Sequence, residues 1–257
     1  MKIPTRPRRI VFKFGTGVLS RPGGSSLDKA QFARIAREIS DVASSGLRPL
    51  IVSSAAVAAG VAVLGLDRRP ESLTAKQACA AVGQPDLMRH YAGAFGRCGL
   101  RVAQLLLTHA DIDSRMRRHN ARNTIDHLLE SGVVPIINEN DSVAVEELHF
   151  GDNDRLSSEV ARLVRADRLV VLTSSDGLLD PRGRRMRVVR DIDRAMEFVR
   201  PDKGAFSVGG MATKLLAVKE AVAAGIPAAI IDGRKPGQIC AAAAGRDAGT
   251  RFPAAVG

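Results

Sequence analysis

Apolar residues in this chain come in short, nearly unbroken runs separated by longer amphipathic stretches. The first run is Ile10-Val11-Phe12-Lys13-Phe14, interrupted only by Lys13 and ended by Gly15-Thr16-Gly17. Comparable runs lie at Leu50-Ile51-Val52, residues 101–107, Val133-Val134-Pro135-Ile136-Ile137, Leu169-Val170-Val171-Leu172 and Ala228-Ala229-Ile230-Ile231. These read as strands. Between the first two, Phe32, Ile35, Ile39 and Val42 recur at helical spacing within residues 27–43. Residues 86–95, 114–130, 156–164 and 211–224 read as further helices. Residues 180–203 are polar and arginine-rich, and the small residues of 245–257 are expected to fray.

Strands alternating with helices imply parallel pairing, because each crossover must return over a sheet face. Continuous apolar strands are expected where helices cover both faces. The pattern therefore predicts an α/β fold, a three-layer αβα sandwich with a mainly parallel central sheet. It shows no linker, repeat or low-complexity tail, so residues 1–257 are expected to form a single domain. In open sheets of this kind ligands sit beyond the carboxyl ends of the strands. Four polar segments hold that position: Gly15-Thr16-Gly17, Ser53-Ser54, Asn138-Glu139-Asn140-Asp141 and Thr173-Ser174-Ser175-Asp176-Gly177.

Composition narrows the partners. Hydrophobic residues make up 45% of the 257, which excludes a wholly disordered chain. No apolar stretch approaches the roughly 18 residues that span a bilayer, and no apolar run follows residues 1–9, so neither membrane nor secretory leader is expected. Three scattered cysteines exclude a disulfide framework and point to the cytoplasm. The formal charge is +11, with arginine clusters at residues 6–9, 115–118 and 182–187. Such a balance fits nucleic acid, polyanionic small ligands or a coding bias. One Tyr and no Trp supply a base-stacking surface poorly, so no nucleic-acid partner is expected.

The strand ends carry candidate chemistry. Gly15-Thr16-Gly17 is either an incomplete dinucleotide fingerprint or a phosphate cradle, with Lys13 a cation at the strand end or merely a snorkelling side chain. Pro22-Gly23-Gly24 removes the helix that a dinucleotide site needs. Ser207-Val208-Gly209-Gly210-Met211-Ala212-Thr213-Lys214 is a second glycine-rich turn. It places Lys214 in a first helical turn, where a cation opposes the dipole unless an anion offsets it. Neither stretch is a Walker A loop. Asn138-Glu139-Asn140-Asp141 and Gly151-Asp152-Asn153-Asp154 are either turn formers or a place to capture an amine or a magnesium ion. His90, His109, His119, His127 and His149 lack metal-ligand spacing, and no metal-binding residues are expected.

Three segments in this order resemble the amino-acid kinase family. They are Val134-Pro135-Ile136-Ile137-Asn138-Glu139-Asn140-Asp141, Phe150-Gly151-Asp152-Asn153-Asp154-Arg155-Leu156-Ser157 and Gly209-Gly210-Met211-Ala212-Thr213-Lys214. Lys76-Gln77 through Ala81-Val82-Gly83-Gln84 looks similar too, and the resemblance runs from Ile10 to about Pro236. It implies the amino-acid kinase fold, ATP with Mg2+, and phosphorylation of the side-chain carboxylate of L-glutamate, the first step toward proline. On that resemblance Lys13, Lys214 and Asp154 are the catalytic residues, Asp154 holding the lysines in place. Gly15, Thr16, Thr173, Ser174, Val208, Gly209, Gly210, Met211, Ala212 and Thr213 join the lysines in binding ATP. Ser54, Asp141 and Asn153 bind glutamate. The resemblance also implies a homo-oligomer, coupling to glutamyl phosphate reductase, and a kinase domain without the C-terminal PUA domain of many bacterial members.

The chain departs from the family pattern within these segments. It has Ser54-Ala55 for Ser-Gly, Thr173-Ser174 for Thr-Asp, Leu179 for Tyr, and Gly17 for Ser. An alanine forced into a positive φ at position 55 costs roughly 1 kcal/mol. Two other readings stay open: a kinase of this fold acting on another amino or carboxylic acid, and a non-catalytic ligand-binding homologue.

Overall fold

The computed structural model describes residues 8–21, 26–144, 152–199 and 210–254. The chain opens with β1 (Arg9–Phe14), one helical turn α1 (Thr16–Leu19) and α2 (Lys29–Ser44). Then come β2 (Arg48–Val52), α3 (Ala56–Val63), α4 (Leu73–Gly96), β3 (Arg101–Leu107), α5 (His109–Asp113), α6 (Arg115–Glu130) and β4 (Val133–Glu139). The remainder supplies α7 (Asp152–Leu163), β5 (Arg168–Thr173), α8 (Ile192–Met196), α9 (Met211–Ala223), β6 (Ala228–Asp232), α10 (Gln238–Ala243) and β7 (Thr250–Phe252).

The strands form one seven-stranded sheet in the order β3-β4-β2-β1-β5-β6-β7. Every neighbouring pair is parallel except β6 with β7. One face carries a core in which Ile10, Phe12 and Phe14 meet Phe32, Ile35 and Ile39 of α2 and Leu87 and Tyr91 of α4. The other face packs Val11, Val52 and Val171 with Ile125 of α6, Val160 of α7 and Leu215 and Val218 of α9. The expected αβα sandwich is therefore present. Side chains alternate along a strand, so Lys13 shares the face of Val11, the one covered by α7 and α9.

The element boundaries differ from the sequence reading for local reasons. α2 begins at Lys29 because the Asp28 carboxylate caps it, accepting from the N–H groups of Ala30 and Gln31 at 3.1 and 3.3 Å. Ser114 caps α6 in the same way rather than joining it. α4 starts thirteen residues earlier than expected and runs through Pro85, which removes one helical hydrogen bond. α3 is an additional helix. It is apolar all round, so it has no periodicity to read. Residues 250–252, expected to fray, pair with β6 as β7.

α3 and α4 cross at glycines. A Cβ on Gly60 would lie 1.8 Å from the Cys79 carbonyl oxygen, and one on Gly83 1.9 Å from that of Ala56. No side chain fits at either place. The close crossing fixes the start of α3, and with it Ser54 at the end of β2.

Candidate active site

The parallel register aligns the strand ends. Lys13 lies opposite Val52, Phe14 opposite Leu172, and Val52 opposite Ile137. Gly15, Ser53-Ser54, Asn138 and Thr173 thus emerge at one edge of the sheet. The Gly15 N–H donates to the Leu172 carbonyl at 3.3 Å, and Ser174 Oγ lies 3.6 Å from where a Gly17 Cβ would stand. Thr173 and Ser174 therefore adjoin the Gly15-Thr16-Gly17 turn. A helical turn opens at Thr16, and Pro22-Gly23-Gly24 lies outside the described residues. The turn stops at Leu19, too short to serve a dinucleotide pyrophosphate.

Three buried charged residues from three elements meet behind that turn. Lys13 Nζ on β1 lies 2.5 Å from Asp154 Oδ1, and Lys214 Nζ on α9 lies 3.3 Å from Asp154 Oδ2. The Asp154 side chain is fully buried, and those of Lys13 and Lys214 are 4% and 9% exposed. Thr213 Oγ1 donates to Asp154 Oδ2 at 2.7 Å. Burial pushes the Asp154 pKa up. The charges of Lys13 and Lys214 and the hydrogen bonds outweigh it, holding the carboxyl below the usual range. α9 has no side-chain cap at Gly210, which leaves its first N–H groups for an anion or water. Met211 and Ala212 follow in that first turn, and Val208 and Gly209 lie outside the described residues.

Of the remaining predicted residues, Ser54 follows β2, Asp141 follows β4 and Asn153 opens α7. Asn153 Oδ1 accepts from the Glu139 N–H at 3.4 Å, joining the start of α7 to the end of β4. Asn138 donates from Nδ2 to Gln84 Oε1 at 2.8 Å, and Gln84 donates in turn to Gln104 Oε1 at 2.8 Å. Asp141 lies half-buried in the turn after β4. Ser54 is buried and precedes Ala55, whose φ is +80°. The left-handed conformation, which glycine adopts without penalty, is therefore imposed on an alanine. Replacing Ala55 with Gly is expected to stabilise the fold by about 1 kcal/mol, because the relieved backbone strain exceeds the entropy added to the unfolded chain. A shift of the urea midpoint at constant m-value measures it.

Several neighbours carried no signal in the sequence. Arg69 stands near Asp141; burial lowers its pKa and the Asp141 charge opposes that. Arg234 donates from Nε to the Gly17 carbonyl at 2.9 Å and from Nη2 to that of Ser20, clasping the first turn from the end of β6. His109 Nδ1 lies 2.8 Å from Glu159 and Nε2 4.0 Å from Glu139. The Glu159 hydrogen bond, with both glutamate charges, raises the His109 pKa against burial and Arg155. All three roles depend on contacts distant in the chain, which periodicity and spacing cannot reveal.

A mostly parallel sheet between helices thus brings two lysines together on one buried carboxylate at its carboxyl edge. Residues 8–232 match the amino acid kinase family, and the chain belongs to that family. Among its relatives are the glutamate 5-kinases of Geobacter metallireducens and Geobacter sulfurreducens. Both are 46% identical, over 95% and 97% of this chain and 67% and 69% of their own lengths. The UMP kinase of Bacillus anthracis shares the fold, with a TM-score of 0.63 at 19% identity over 98% of each chain. Among the described residues no helix is long and apolar enough to cross a membrane.

Proposed function

We propose that this chain transfers the γ-phosphoryl group of ATP to the side-chain carboxylate of L-glutamate, giving L-glutamyl 5-phosphate and ADP at the entry to proline biosynthesis. The observation that carries the reading is the convergence of Lys13 and Lys214 on the two oxygens of one buried carboxylate. The relatives named above and the order of the strand-end motifs support glutamate as acceptor.

The chemistry follows from charge. A glutamate side chain has a pKa of about 4.3, so the nucleophile is already ionised and needs no base. A carboxylate oxygen attacks the γ-phosphorus, and the bond to the ADP oxygen breaks. The obstacle is repulsion between two anions. In this reading Lys13 and Lys214 stabilise negative charge on the moving group, and Asp154, its pKa held below the usual carboxylate range, fixes both. Gly15, Thr16, Thr173, Ser174 and residues 208–213 frame the nucleotide in this reading, with Ser54, Asp141 and Asn153 on the amino-acid side. Among the described residues no cluster of three metal-ligating side chains occurs, and Asp154 is engaged by lysines. Magnesium usually binds through substrate phosphates and waters with one or two carboxylates, so the ion is read as part of the ATP substrate.

The reading takes residues 1–257 as one kinase domain. The three cysteines are unpaired thiols, which suits a reducing cytoplasm. An acyl phosphate is labile, so the reading includes handing the product to glutamyl phosphate reductase, and the family resemblance adds a homo-oligomer.

Trapping the acyl phosphate with hydroxylamine tests the proposal. ATP-dependent hydroxamate is expected with L-glutamate. Product with another acid alone would move the acceptor, and none with any acid across a panel would remove the catalytic reading. Asp141→Ala is expected to raise the glutamate KM at least tenfold with little change in the ATP KM, the loss of one charged contact to the ammonium group. An unaltered glutamate KM would refute that role.

A further inference from the structure

The arginines at residues 115–118 take no part in the site above, yet the fold gives them partners. α6 and α7 border a concavity of about 960 Å³. Arg115, Arg118 and Arg122 stand along one face of α6, Arg155 and Arg162 lie two turns apart on α7, and Arg165 follows the end of α7. Three acidic residues, Asp113, Glu159 and Glu220, share the lining. Two of them are already engaged. Glu159 holds Arg155 at 3.0 Å and His109 at 2.8 Å, and Glu220 accepts from Ser158 Oγ at 2.6 Å. Arg115 and Arg162 form no ion pair among the described residues.

A second feature points the same way. The first turn of α6 contains three arginines and no acidic residue, so its charge opposes the helix dipole. Like charges gathered in one concavity against a dipole favour an anion of several charges. A guanidinium meets phosphoryl oxygens with two parallel N–H groups, and rows of them on facing helices suit successive phosphates. The lining contains no Phe, Tyr or Trp to stack on a base.

We propose that the groove between α6 and α7 is a binding site for a linear oligophosphate, recognised through its phosphoryl groups and separate from the Lys13–Asp154–Lys214 site. Neither lysine lines it.

Titration calorimetry with inorganic tripolyphosphate, with and without saturating ADP, tests this on the full chain. Tripolyphosphate is expected to bind the ADP-saturated protein, more weakly as salt rises. Arg115→Ala/Arg162→Ala is expected to weaken that binding at least tenfold at unchanged melting temperature and unchanged kinase activity. Arg115→Lys/Arg162→Lys, which keeps the charge without the fork, is expected to fall between the two. Affinity unaltered in the alanine variant, or binding abolished by ADP, overturns the proposal. So does a change of oligomeric mass on adding tripolyphosphate, which would make the face a contact between copies of this chain.

Discussion

Lys214→Ala is expected to lower kcat for glutamate phosphorylation by about a hundredfold or more while leaving the glutamate KM within about twofold. Lys214 Nζ lies 3.3 Å from the buried Asp154 carboxylate, in the first turn of a helix with no side-chain cap. Its charge matters most when negative charge is moving between donor and acceptor. The interaction is thus stronger in the transition state than with either substrate bound. Steady-state rates at saturating ATP, with melting temperatures to exclude a folding defect, make the measurement. A raised ATP KM at unchanged kcat would show that Lys214 only holds ground-state nucleotide.

Asp154→Asn carries the largest expected effect on stability. The carboxylate is fully buried between two ammonium groups that are themselves almost inaccessible to water. An amide keeps the shape and removes the charge, leaving Lys13 and Lys214 to repel each other without a counter-ion. Breaking a buried ion pair in this way costs about 3–5 kcal/mol. The native pKa of Asp154 lies below its unfolded value. Its contribution is therefore fully present above the ordinary carboxylate range near pH 4 and is lost as pH falls through the lowered native value. Urea midpoints measured from neutral to acid pH are expected to fall more steeply for the wild type than for the variant. Parallel curves would show that Asp154 contributes nothing by its charge.

The parts of this molecule legible in its sequence are those set by local periodicity. The strands of the parallel sheet announce themselves because helices cover both faces, leaving few polar positions in them. Lys13 stands out because it interrupts such a run. Alternation alone assigns it the face of Val11, and the structure puts Asp154 and Lys214 against that face. α3 escaped because its sequence, Ala56–Val63, is apolar on every face and has no periodicity, and the first half of α4 because a helix was not expected to run through Pro85. β7 is three residues long, too brief for any pattern. Around the site, the substitution at Ala55 was visible in the sequence, but its φ of +80° was not. Arg69 and Arg234 owe their places to tertiary contacts alone. The segments carrying Val208 and Gly209, and with them the first half of the second glycine-rich turn, lie outside the described residues.

Lys13 belongs to the first strand and Lys214 to a helix about two hundred residues later. β1 completes its pairing only when β5 arrives beside it, long after β2. Closing so distant a contact costs chain entropy before any packing rewards it. The amino-terminal strands can associate during synthesis, but the reactive centre cannot exist until α7, β5 and α9 have docked. Assembly of that centre therefore requires most of the chain, and recovery of turnover after denaturation is expected to report the docking of α9 beside α7 and β1.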